Sequence, residues 1–183
     1  MTNDWHYIMF RANTRKKHLE RFENICKENG WMVKGEQVIR PNTKPYVIMI
    51  RAEIVGYFAL DTVKDNQVCF WGFYISPKYR GQGIGTTALL KILFGLSKLT
   101  PVPNCVFCHF KGDNEIAKHI YLKYGYLYGT DERLYDNFAS CSNPYHDENG
   151  NIAVLFQRVW GNEDLTIKKE LQDVFSMHDL RKR

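Results

Sequence analysis

The sequence predicts an α+β fold in three layers, with a mixed, mostly antiparallel central sheet flanked by helices. Successive β-rich runs from Tyr46 to Ile75 are separated only by short polar turns, which implies neighbouring antiparallel strands. Between Val68 and Phe110 a strand, a glycine-rich turn, an apolar helical pattern and a second short strand follow one another. That is the order of a right-handed crossover between parallel strands. Further helical patterns before and after these runs supply the outer layers.

Each element follows in turn. Trp5 to Arg11 mixes aromatic and aliphatic residues and reads as a first strand, after which Asn13 or Thr14 caps a helix running to about Asn29. Leu19, Phe22, Ile25 and Cys26 fall on one face of that helix, and Gly30 stops it. Trp31 to Pro45 is irregular, with scattered Gly and Pro. Strands Tyr46 to Ile50 and Ile54 to Asp61 turn at Arg51-Ala52-Glu53, and Lys64-Asp65-Asn66 turns into the strand Val68 to Ile75. A helix from Thr86 to about Ser97 is cut off by Pro101 and Pro103, and Cys105 to Phe110 is a strand expected to run parallel to the one before the helix. A helix from about Asn114 to Tyr124 and strands at Tyr126 to Thr130 and Ile152 to Trp160 complete the sheet. Residues 1–160 are thus read as one domain. Residues 161–183 form a helical extension with Leu165, Leu171, Val174, Phe175 and Leu180 as its apolar positions.

Composition agrees with a single core. At 183 residues and 44% hydrophobic content the chain can bury one substantial interior. It contains no apolar run long enough to span a bilayer, and its start lacks the basic and apolar regions of a signal peptide, so the cytoplasm is the expected address. Five cysteines, an odd number, point to reduced thiols packed as small core residues. The net charge of +5 sits largely in Arg15-Lys16-Lys17 and Arg181-Lys182-Arg183, clusters that read as solvated surface.

The most specific stretch is Tyr79-Arg80-Gly81-Gln82-Gly83-Ile84-Gly85-Thr86-Thr87, placed between a strand and a helix. Alternating glycines let the chain fold tightly with its N–H groups turned inward, and the unpaired amides of the helix start add the positive end of its dipole. A pyrophosphate is the natural guest. A Walker loop would need Gly-Lys followed by Ser or Thr, and no lysine stands there. A dinucleotide fingerprint would need its third glycine one position later and an acidic residue downstream, yet no Asp or Glu occurs between Asp65 and Asp113.

The spacing Arg80-x-x-Gly83-x-Gly85, together with Asn114-x-x-Ala117-x-x-x-Tyr121-x-Lys123-x-Gly125-Tyr126 downstream, resembles the GNAT family of N-acetyltransferases. The resemblance implies an acetyl-CoA-dependent transfer of an acetyl group to a primary amine of a small molecule, peptide or protein, by direct attack on the thioester. It also implies a central sheet split between its two parallel strands, with backbone groups around Tyr74 and Ile75 left to pair with the pantetheine arm. Arg80, Gly81, Gln82, Gly83, Ile84, Gly85 and Thr86 form the cofactor cradle. Asn114 matches a position that contacts the cofactor, and equally suits a helix cap. Tyr121 matches the position that protonates the departing thiolate.

No carboxylate lies in Val68 to Ser76, where many relatives carry the general base. His109, at the end of the following strand, is the leading candidate because an imidazole titrates near neutrality; Asp61, His146 and a water chain stay open. Cys105-Val106-Phe107-Cys108-His109 also matches a haem attachment string, but alternation along a strand sends the two thiols to opposite faces, so no metal or haem is expected. The loop Glu132 to Gly150, with Tyr135, Phe138, Tyr145 and His146, is read either as a cover for the acceptor site or as a solvated insertion. An alternative function is a nucleic-acid-directed module on the same fold, either a base-modifying acyltransferase or a non-catalytic binder. A regulatory protein that keeps the coenzyme without turnover is a third. The C-terminal stretch makes the chain a homodimer or, covering its own sheet, a monomer.

Overall fold

The computed structural model describes residues 8–31, 39–63, 66–103, 105–110, 114–124, 127–129 and 154–159. The C-terminal extension, the 132–150 loop, most of the irregular segment after Trp31 and the side chain of His109 lie outside the described residues.

The strands are β1 (Ile8–Ala12), β2 (Thr43–Ile50), β3 (Glu53–Val63), β4 (Gln67–Ile75), β5 (Cys105–Phe110), β6 (Leu127–Gly129) and β7 (Val154–Val159); the helices are α1 (Lys16–Glu28), α2 (Ile84–Leu96) and α3 (Glu115–Lys123). They form one seven-stranded sheet in the order β1-β2-β3-β4-β5-β7-β6. β1 to β4 pair as an antiparallel run and β5, β7 and β6 as another. The two runs meet at β4 and β5, which are parallel. The crossover predicted over residues 68–110 is therefore present, and the fold is α+β.

Three local differences from the sequence reading have physical causes. Neither Asn13 nor Thr14 caps α1; Arg15 holds that position, without a side-chain cap. Asn13 instead donates its backbone N–H to Pro45 O at 2.8 Å and is buried. β2 starts at Thr43 rather than Tyr46 and runs through Pro45. The proline is tolerated because its carbonyl, and so its missing N–H, faces the point where β1 has already ended. Finally, α2 begins at Ile84, two positions before Thr86.

α2 is apolar around most of its circumference and buries Ile84, Ala88, Leu89, Leu90, Ile92, Leu93 and Leu96. They pack with Ile48, Phe58, Phe70, Val106, Cys108, Tyr121 and Tyr124 into the larger core. On the opposite face α1 sets Phe22, Ile25 and Cys26 against Val47, Tyr57 and Ala59. The expectation of reduced core thiols holds for Cys26, Cys69 and Cys108, which are buried and in no disulfide. Burial, aided by Glu23, pushes the Cys26 thiol up to about 12.

Candidate functional site

β4 and β5 are registered only over Gln67↔Cys105, Val68↔Val106 and Cys69↔Phe107, although β4 continues to Ile75 and β5 to Phe110. Beyond Cys69 the sheet is split. On its other side β4 stays paired to β3, but with an irregularity between Tyr57 and Ala59: Gly72 and Phe73 together stand opposite Phe58. This bulge needs glycine. Gly72 has φ +61°, and a Cβ there would lie 2.6 Å from the Phe22 ring.

The bulge sets which backbone groups face the split. Ser76 N–H donates to Val55 O at 2.9 Å, so alternation along β4 directs the polar groups of Tyr74 to β3 and those of Ile75 to the open side. Tyr74 and Ile75, paired together in the sequence reading, thus face opposite ways. The Ile75 carbonyl accepts a hydrogen bond from Arg80 Nε at 2.9 Å, and the guanidinium lies 5.4 Å from the Tyr74 ring centre. The Arg80 side chain thus folds back over the end of β4.

After β4 the chain makes a single 3-10 turn, Pro77–Tyr79, which Arg80 N–H closes onto Pro77 O at 3.1 Å. The Arg80 amide is thereby used within the turn. Gly81 and Gly83 follow at φ +70° and +72°, left-handed positions on either side of Gln82. Gly83 is the N-cap of α2, and no side chain caps this end. The first intrahelical amide in use is that of Thr87, bonded to Gly83 O at 3.0 Å. The amides of Ile84, Gly85 and Thr86 precede it at the amino end of the helix, a position that favours anions in general. Gly85 belongs to the helix rather than the turn, packed beside Ile75 and Phe73.

The turn is fastened from outside. Lys78 Nζ meets Glu53 Oε1 at 2.5 Å, which ties the loop to the β2–β3 turn, and the ammonium sits 4.6 Å from the Tyr79 ring centre. Hydrogen bonds from Lys78 and Tyr79 hold the Glu53 carboxyl below the usual carboxylate range. Gln82 Nε2 donates back to Lys78 O at 3.0 Å.

Across the split stands α3. Asn114 Oδ1 accepts the Ala117 N–H at 3.1 Å and so caps the helix. Tyr121 is 6% exposed, inside the larger core, and hydrogen-bonds the Cys108 thiol. Cys108 and His109 follow the last residue of β5 paired to β4, and His109 stands in register with Leu155 of β7. The glycine turn follows the free end of β4, and the buried phenol lies beside Cys108, the first residue of β5 past its pairs with β4.

A family model for the GNAT acetyltransferases matches residues 4–126. The chain belongs to the GNAT acetyltransferase family. Membership carries the enzyme class, N-acetyltransferase, and the cosubstrate, acetyl-CoA. Solved GNAT-like structures share the fold at low identity. A GNAT acetyltransferase from Staphylococcus aureus Mu50 superposes with a TM-score of 0.60 at 16% identity, covering 83% of this chain and 98% of that one. The Vibrio cholerae spermidine N-acetyltransferase, in complex with CoA and spermine, gives 0.61 at 14%, covering 82% and 93%. Arabidopsis thaliana NAA60, in complex with a bisubstrate analogue, gives 0.59 at 16%, covering 84% and 99%. No curated protein matches the sequence. Among the described residues of this GNAT chain, no helix is long and apolar enough to cross a membrane.

Proposed function

We propose that this GNAT enzyme transfers the acetyl group of acetyl-CoA to a primary amine by direct attack at the split between β4 and β5. The observation that carries the reading is the continuity of cradle and split: the rim of Ile84, Gly85 and Thr86 follows directly on the strand whose free edge lines the opening. A diphosphate held at the rim, with the Arg80 guanidinium beside it, leaves the extended arm of the carrier to run along β4. Ile75 is the backbone position turned toward that arm, and Asn114 stands at the start of the facing helix.

The chemistry balances with few groups. The neutral amine forms a C–N bond at the thioester carbonyl, the C–S bond breaks, the amine gives up a proton to a base, and the thiolate takes one from an acid. Tyr121 is assigned as the acid and His109 as the base. The acceptor is a small-molecule, peptide or protein amine; the Vibrio cholerae neighbour crystallised with spermine makes polyamines the first acceptors to assay.

Release of free coenzyme A thiol in the presence of candidate amines tests the reading. Acetyl-CoA at a hundred times its dissociation constant is expected to stabilise the protein by about 2.7 kcal/mol in thermal unfolding. Tyr121→Phe is expected to lower kcat about 100-fold with little change in acetyl-CoA affinity. Absence of both thermal protection and thiol release overturns the assignment.

A further inference from the structure

Arg80 reaches back five residues to bond the strand that leads into the split. Its Nε–H donates to Ile75 O at 2.9 Å, and the guanidinium lies 5.4 Å from the Tyr74 ring centre. Two other long polar side chains of the turn are engaged elsewhere, Lys78 with Glu53 and Gln82 with Lys78 O. Because the polar groups of Ile75 point to the open side of β4, the Arg80 nitrogen stands where the N–H of a neighbouring strand would stand, at the same distance. An extended arm that pairs with the last carbonyl of β4 must therefore take a place that Arg80 already holds.

An anion can undo this contact. Arg80 is exposed, so water competes for its bond to Ile75. A guanidinium bonds phosphate oxygens more strongly than a neutral carbonyl, because both partners are charged and the planar fork makes two parallel bonds. The amino end of α2 follows Arg80 directly after Gly81, Gln82 and Gly83.

We propose that Arg80 makes the site specific for thioesters that carry a diphosphate. Before binding, its Nε–H covers Ile75 O; a diphosphate at the amino end of α2 draws the guanidinium away and bares that carbonyl for the attached arm. The inference rests on the reading of this edge as the acetyl-CoA site. A carrier with the same arm and no phosphate meets the carbonyl still covered, and binds poorly for that reason as well as for the contacts it lacks.

The test measures dissociation constants by NMR titration for coenzyme A and for pantetheine, which has the arm without the phosphates, in the full wild-type chain and in Arg80→Ala. Pantetheine is titrated with and without saturating inorganic pyrophosphate. Arg80→Ala is expected to bind coenzyme A about tenfold more weakly, having lost the charged pair, and pantetheine about threefold more tightly, having lost the cover. In the wild type, pyrophosphate is expected to tighten pantetheine about threefold, and in Arg80→Ala to leave it unchanged. A residue that only clamps the diphosphate predicts unchanged pantetheine binding in the variant, and one that only braces the turn predicts both ligands weakened; either result overturns the proposal. If the wild type binds coenzyme A but pyrophosphate does not tighten pantetheine, this proposal alone falls. If the wild type does not bind coenzyme A, the cofactor site falls and this proposal with it. Should Arg80→Ala fail to fold, the pyrophosphate effect in the wild type decides.

Discussion

The face of the sheet that receives α2 is lined mainly by apolar side chains, whereas the face under α1 keeps unmatched polar groups inside it. Against α2 lie Ile48, Val55, Phe58, Phe70 and Val106, and the hydrogen-bonding side chains buried there include the Cys108 and Tyr121 pair. On the α1 face, Asp61 follows Ala59 at the spacing that keeps it on the same side, with Thr43 opposite. Asp61 Oδ1, both polar atoms of the Asn13 amide and Trp71 Nε1 are buried without a hydrogen-bond partner. A buried polar atom left unmatched costs about 1–3 kcal/mol. Among the described residues, the unmatched buried polar atoms thus fall on the α1 face and not on the face that seats α2.

Three substitutions break or sharpen this contrast. Leu89→Ala, at a position with no solvent exposure on the α2 face, is expected to cost about 2–5 kcal/mol in urea unfolding. A loss below 1 kcal/mol would mean that α2 is loosely seated. Asp61→Val removes a carboxylate whose Oδ1 is buried without a partner on a central strand and is expected to stabilise the chain by about 1–2 kcal/mol. Destabilisation there would show that the carboxylate has a partner in the folded protein.

The smallest effect is expected at the exposed tie between Glu53 and Lys78. Glu53→Gln should raise the KM for acetyl-CoA by less than about fivefold, and added salt should erase the difference. The sign of its pH dependence follows from the depressed carboxyl of Glu53. The tie is fully formed above the ordinary carboxylate range and is lost as pH falls through the lower folded-state value. An NMR titration of the Glu53 carboxyl that shows an ordinary midpoint would remove the tie from the account of how the cradle is held.

The elements and their order were legible because each depends on neighbouring residues. The crossover, the glycine turn ahead of α2 and the cap at Asn114 all follow from local patterns of residues. Gly72 carried a signal too, since an isolated glycine in a strand marks a bulge, but its necessity depends on Phe22, fifty residues away in sequence. The early start of α2 was hidden because Gly85 reads as a loop residue until its helical backbone is seen. Arg80 bonding back to Ile75, and Cys108 meeting Tyr121, depend on how a loop folds over a strand end and how α3 is registered on β5. No local pattern encodes either contact.

The short seam between β4 and β5 has a mechanical consequence. With only three registered residue pairs across it, the sheet is two smaller sheets, one of four strands and one of three, stitched at a corner. An extended guest lying along the free edge of β4 would act as a temporary eighth strand. Hydrogen exchange at Ile75 and at the ends of β5 should slow together when the guest binds, because it closes the gap that separates the two halves.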